Sequence, residues 1–220
     1  MEVITLDRKS SMNNLPISMK KEITPPAVGR PRAFDPDVAL EKAMQVFWKH
    51  GYEGTSLSDL TEAMGINRPS LYATYGNKEQ LFIKVLDRYG SGPVAYVLES
   101  LNEPTARGVI EKMLHGSVCL LSDPQHPRGC MALQGMLCGG KDSAFVLEHA
   151  RSRRVAAQEK MRERFERARK EGDLPLEVNA GDLARHLAML LNGLSIQASN
   201  GASAKELKRA VEFALKTLPV

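Results

Sequence analysis

Aromatic residues make up only 5% of this 220-residue chain, whereas Ala, Leu and Met are plentiful. Sheets draw heavily on aromatic and β-branched residues, so the scarcity favours helix. No stretch approaches the roughly 18 apolar residues that a membrane-spanning helix needs. The first residues have no continuous apolar core of the kind a secretory leader carries. Three cysteines, Cys119, Cys130 and Cys138, are an odd number and do not suggest a disulfide framework. Free thiols in a reducing cytoplasm are the expectation. Neither sign of charge dominates. Thirty Lys and Arg against 26 Asp and Glu leave a formal charge of +4, which permits a nucleic-acid partner without requiring one.

The usual signs of catalysis are also missing. His115, His126, His149 and His186 form no metal-ligand spacing, and Cys130 and Cys138 lie too far apart for a zinc knuckle. Gly139-Gly140-Lys141 has neither the upstream glycine nor the following Ser or Thr of a phosphate-binding loop. Serines and histidines are scattered without a nucleophile–base pattern. The expectation is therefore a protein that is not an enzyme, with no catalytic residue, metal or cofactor.

What remains is a succession of capped helices. Residues 1–28 show no sustained period and carry Asn-Asn, Ser-Ser and Pro-Pro breakers, as a disordered tail would, and Met12 and Met19 are alternative starts to Met1. Asp35-Pro36 is an N-cap followed by proline at the first helical position, and Val38, Ala39, Ala43, Val46 and Phe47 line one face up to Gly51. Ser56 with Asp59 resembles a capping box for a second helix. Gly65 ends that helix, Asn67 caps a third through Tyr75, and Asn77 with Gln80 opens a fourth. Beyond Gly92-Pro93 further helices are predicted over 93–102, 105–122, 132–140, 143–171, 180–200 and 203–217. Helix 143–171 has a thin apolar stripe of Phe145, Val155, Met161, Phe165 and Ala168 among nine Lys or Arg and five Glu. The segment 183–194 is apolar around most of its circumference and must be buried on more than one side.

Two short helices joined at Gly65 have helix-turn-helix spacing, in which the second helix enters the DNA major groove. This explains why "GINRPSLYATYGNK" holds more polar and basic residues than packing requires. Arg68 can donate two hydrogen bonds to guanine. Pro69 offers an apolar edge to a thymine methyl. Ser70 and Thr74 can donate to base or phosphate, and Tyr72 and Lys78 to phosphate. Leu71 and Tyr75 form the inward pair. Arg30 and Arg32 flank Pro31 in a short extended arm that is either a minor-groove reader or a basic linker. Residues 29–89 contain eight Lys or Arg and eight Asp or Glu, so binding must rest on placement rather than net charge.

Residues 29–89 resemble the DNA-binding domain of the TetR (tetracycline-repressor) family. The resemblance is carried by Ala43, Phe47, Gly51, Thr55, Leu60, Gly65, Leu71, Tyr72, Tyr75, Lys78 and Leu81; phenylalanine is usual where Tyr75 stands. It implies an all-α homodimer with an N-terminal helix-turn-helix DNA-binding domain (29–89). A C-terminal helical ligand-binding and dimerisation domain (90–220) would follow. It also adds Thr55 and Ser58 to the DNA-facing set. The implied function is a ligand-responsive repressor of double-stranded operator DNA, working in the cytoplasm without a membrane partner and released by a small-molecule effector. Candidate pocket residues are Met113, Ser117, Cys130, Leu133, Met136 and Leu137. Candidate dimer residues are Phe165, Leu187, Leu190, Leu191 and Leu194. Two alternatives stay open: a regulator sensing oxidants or electrophiles through Cys130, and an architectural DNA-binding protein without effector control.

Overall fold

The computed structural model describes residues 34–133 and 144–219, and from Phe34 onward the chain forms one compact unit. The described residues contain helices and no strand. In chain order the helices are α1 (Pro36–His50), α2 (Leu57–Met64), α3 (Arg68–Tyr75), α4 (Lys78–Ser91), α5 (Ala95–Glu99), α6 (Ala106–Ser122), α7 (Ala144–Lys170), α8 (Ala180–Ser199) and α9 (Ala204–Thr217). A 3-10 turn, Ser100–Asn102, follows α5. A further helical start at 131–133 runs to the edge of the described residues, and most of the helix expected over 132–140 lies outside them.

The caps read from the sequence are those that form. The Asp35 carboxylate accepts from the amides of Asp37 and Val38 at the head of α1. Reciprocal capping boxes join Ser56 to Asp59, Asn77 to Gln80 and Ser203 to Glu206. Each satisfies backbone donors that a helix start would otherwise leave orphaned. Gly65 has φ of 69° and ψ of 32°, a left-handed conformation that glycine adopts without steric cost. It lets the chain reverse between α2 and α3 within three residues.

Two apolar clusters hold the unit. In the first, α1 packs against α2 and α4 around Ala43, Phe47, Trp48, Leu60, Leu71, Leu81, Phe82 and Val85. Phe47 meets Phe82 edge-to-face at 4.9 Å and stacks with Tyr52 at 6.2 Å. This cluster also takes in Met131, Val146 and Ala150. The second cluster joins α6, α7, α8 and α9 through Val109, Ile110, Met113, Leu114, Phe165, Leu183, Leu187 and Val211. Buried Arg164 fastens α7 to the segment before α6 by donating to the carbonyls of Leu101, Glu103 and Pro104.

Several inward assignments are corrected. Val38 is exposed, and the buried face of α1 is Ala39, Ala43, Met44, Phe47 and Trp48. Phe145 and Val155 are exposed as well. The buried positions of α7 are Val146, Ala150, Met161, Arg164, Phe165 and Ala168. A helix this polar has too weak an apolar periodicity to fix the phase of its stripe.

Candidate nucleic-acid interface

The inner side of α3 is anchored at both ends. Leu71 is fully buried, Tyr75 nearly so, and the Tyr75 hydroxyl donates to the Pro36 carbonyl at 2.6 Å. Asn67 accepts from the Ser70 amide at 2.9 Å and so sets where the helix begins. With one face fixed by packing, α3 turns Arg68, Pro69 and Tyr72 to solvent, while Ser70 and Thr74 are half-buried. Helix α3 carries no Asp or Glu. The Arg68 Nη2 donates to the Ser58 Oγ at 3.0 Å, joining the first turns of α2 and α3.

Lys78, at the start of α4, holds its ammonium 4.3 Å from the centroid of the Tyr52 ring. A cation over an aromatic face is attracted by the ring quadrupole. Burial pulls the Lys78 pKa down and pushes that of Tyr52 up to about 12. Glu53 and Asp59 lie near Lys78, and Glu79 near Tyr52. Asp37 and Glu41 pair with Arg88, and Asp59 is tied into the α2 capping box. The outward face of α3 itself is basic and polar although residues 29–89 are neutral overall.

Thr55 is not part of that face. It is 1% exposed, and its hydroxyl donates to the Gly51 carbonyl at 2.6 Å, closing the turn after α1. Arg30 and Arg32 lie outside the described residues, as do Met136 and Leu137. Of the expected dimer residues, Phe165 and Leu187 have no exposed surface and belong to the core of their own subunit. Leu194 is also buried, whereas Leu190 and Leu191 are half-exposed. On these two helices the large apolar side chains turned outward are Phe145 and Val155 on α7 and Met189 and Ile196 on α8.

Of the expected pocket residues, Met113 packs in the α6–α9 cluster whereas Cys130 packs against the α1–α4 cluster. Ser117 is buried on α6, and Leu133 is buried beyond Cys130. Tyr96, which sequence reasoning missed, packs against the α6–α9 cluster. Burial pushes its pKa up to about 12, with Ser117 acting in the opposite direction. Its ring lies flat enough on α6 that a Cβ at Gly116 would come within 2.5 Å of it; the glycine in the motif-free run 115–118 was the one available signal.

Cys130 also stands at a joint. It receives a hydrogen bond from the Tyr89 hydroxyl of α4 at 3.4 Å, and its amide donates to the Ser195 Oγ of α8 at 2.7 Å. The neighbouring Gly129 carbonyl accepts from the Trp48 indole of α1 at 2.8 Å. Burial, reinforced by the thiol, drives the Tyr89 pKa well above its ordinary value.

A helix-turn-helix whose second helix has a pinned inner face and a basic, acid-free outer face is built to meet DNA. Comparison with known proteins identifies the family. Residues 39–85 match the family described as bacterial regulatory proteins, tetR family. The HTH-type transcriptional repressor ComR of Escherichia coli K12 is 33% identical over 193 residues, spanning 87% of this chain and 92% of that protein. The HTH-type transcriptional regulator YezE of Bacillus subtilis 168 is 30% identical over 87% of this chain and all of its own length. Among solved structures, a cysteine mutant of the TetR family regulator CifR, complexed with 26 bp double-strand operator DNA, superposes with a TM-score of 0.83. It is 40% identical and covers 86% of this chain and 100% of its own. The chain belongs to the TetR family; it is a transcriptional regulator and not an enzyme.

Proposed function

We propose that this protein is a repressor that binds a palindromic operator as a homodimer and leaves it when a small-molecule effector binds. Residues 29–89 would form the DNA-binding domain and residues 90–220 the effector-binding and dimerisation domain, the whole acting in the cytoplasm. The observation that carries the reading is the outward face of α3, where Arg68, Pro69 and Tyr72 meet solvent on a helix without a carboxylate. ComR is described as a repressor, and the CifR mutant is held with its operator; both support the same direction.

The dimer surface is proposed on α7 and α8, along Val155, Met189 and Ile196 with half-exposed Leu190 and Leu191. Gly193 on that face has open space where a Cβ would stand, room for a partner helix to approach closely. An isologous pairing would set two copies of α3 in successive major grooves about 34–36 Å apart. The effector site is proposed around Tyr96, Ser117 and Cys130. A ligand there would release DNA by binding more tightly to a conformation with wrongly spaced reading helices. The joint from Cys130 to Tyr89, and from Gly129 to Trp48, supplies a path to α4 and α1. The contacts of Cys130 are those of a structural hinge, so the thiol-sensing alternative is not adopted.

The test is operator binding across salt concentrations. Arg68→Ala is expected to cost about 1–3 kcal/mol and to relax preference at one base position. Lys78→Ala is expected to weaken all sequences alike and flatten the salt slope by about one unit. An unchanged selected motif for Arg68→Ala in a randomised-site assay would remove the base-reading assignment.

A further inference from the structure

We infer that Ser58 is a specificity-determining positioning residue, acting through Arg68 rather than by touching a base. The inference rests on the reading that α3 enters the major groove. An arginine at the tip of a recognition helix is a long, flexible side chain, and a bidentate contact with guanine requires its fork to be held in one plane. Ser58 supplies a hold from a different helix, since its Oγ accepts from the Arg68 Nη2 at 3.0 Å across the α2–α3 turn. The bond uses one of the five N–H donors of the guanidinium. Both terminal nitrogens keep a free N–H, so pairing with guanine O6 and N7 stays open.

The chemistry of the holder matters as much as its place. A hydroxyl fixes the fork without neutralising it. A carboxylate at position 58 would trap the arginine in an ion pair and repel the phosphates beside it. The one acid adjacent in sequence is already engaged. Asp59 accepts from the Ser56 amide at 2.8 Å, while its own amide donates to the Ser56 Oγ at 3.1 Å. The capping box thus both starts α2 and occupies the carboxylate next to Ser58. Ser58 is too short to read a base itself, and both partners are exposed, so the bond is not needed for folding. Its effect falls on how much ordering Arg68 must undergo when it meets DNA.

Randomised-site binding with the full-length chain tests this, using Ser58→Ala, Ser58→Thr, Arg68→Ala and the double variant Ser58→Ala/Arg68→Ala. Ser58→Ala is expected to reduce preference roughly threefold to tenfold at the same base position that Arg68→Ala relaxes, with the salt slope unchanged. Ser58→Thr, which keeps the hydroxyl, should restore it. In the Arg68→Ala background, Ser58→Ala should have no further effect. Circular dichroism and thermal melting of Ser58→Ala are expected to match the parent. Full preference in Ser58→Ala, or a Ser58→Ala effect that persists without Arg68, overturns the inference while leaving Arg68 a base reader. A motif unmoved by Arg68→Ala instead removes the underlying reading, and the inference with it.

Discussion

The two apolar clusters are built from different material. Around α1–α4 six aromatic side chains are buried: Phe47, Trp48, Tyr52, Tyr75, Phe82 and Tyr89. Around α6–α9 only Phe165 is, and the rest is leucine, isoleucine, valine, alanine and methionine. Aromatic rings pack in preferred edge and offset geometries, so each fixes its neighbours' positions. Aliphatic side chains fill volume with many near-equivalent arrangements. The surfaces differ in the same sense. Of nine large apolar side chains left exposed among the described residues, only Val38 and Tyr72 precede residue 90. The aromatic end is finished within one chain and holds a reading face rigid. The aliphatic end leaves more apolar surface exposed.

The strongest way to break this comparison is to charge the exposed face of α8. Met189→Glu with Ile196→Glu would place unpaired carboxylates in the proposed interface, each costing several kcal/mol on association. Sedimentation should show a monomer with parental helix content. A dimer that survives both changes would move the interface elsewhere. Next is the core itself: Phe47→Ala is expected to cost about 3–5 kcal/mol and Leu187→Ala about 2–5 kcal/mol. Phe47→Ala should abolish operator binding yet leave dimerisation, if the clusters are separable. Loss of all helix in one thermal transition would show that they unfold as one cooperative unit. The smallest effect concerns the α2 cap. Hydrogen bonds from Ser56 hold the Asp59 pKa below its ordinary 3.8. The ionised carboxylate therefore stabilises the fold above that value, and this is lost as pH falls through the lower folded-state pKa. Melting temperatures of the parent and Asp59→Asn should differ at neutral pH and converge in acid.

Much of the aromatic end was legible from residue types that permit few alternatives. Asp35-Pro36, Ser56 with Asp59, Asn67, and Asn77 with Gln80 each mark a helix start, and the glycines at 51 and 65 mark two ends. The family resemblance shares the two glycines and otherwise rests on the apolar and aromatic positions between the caps, such as Ala43, Phe47, Leu60, Leu71 and Leu81. Thr55 was placed on the DNA-facing side only through the family resemblance, and here its hydroxyl is taken by the Gly51 carbonyl. In the aliphatic end an apolar residue says that it is buried but not against what. Phe165 and Leu187 were expected between subunits and lie within one. The links from Trp48 to Gly129 and from Tyr89 to Cys130 span 81 and 41 residues. No local pattern announces a bond from a side chain to so distant a partner.

Trp48 is the single tryptophan of the chain. Its indole lies between the Tyr89 ring, edge-on at 4.9 Å, and the His126 ring, stacked at 4.9 Å, with its N–H on Gly129. All the intrinsic indole fluorescence of a subunit therefore originates at the meeting of α1, α4 and the 123–130 segment. The protein carries its own optical gauge there. Emission would shift with the polarity around that one ring, free of background from any other tryptophan, and would follow the opening or tightening of this joint in real time without an attached dye.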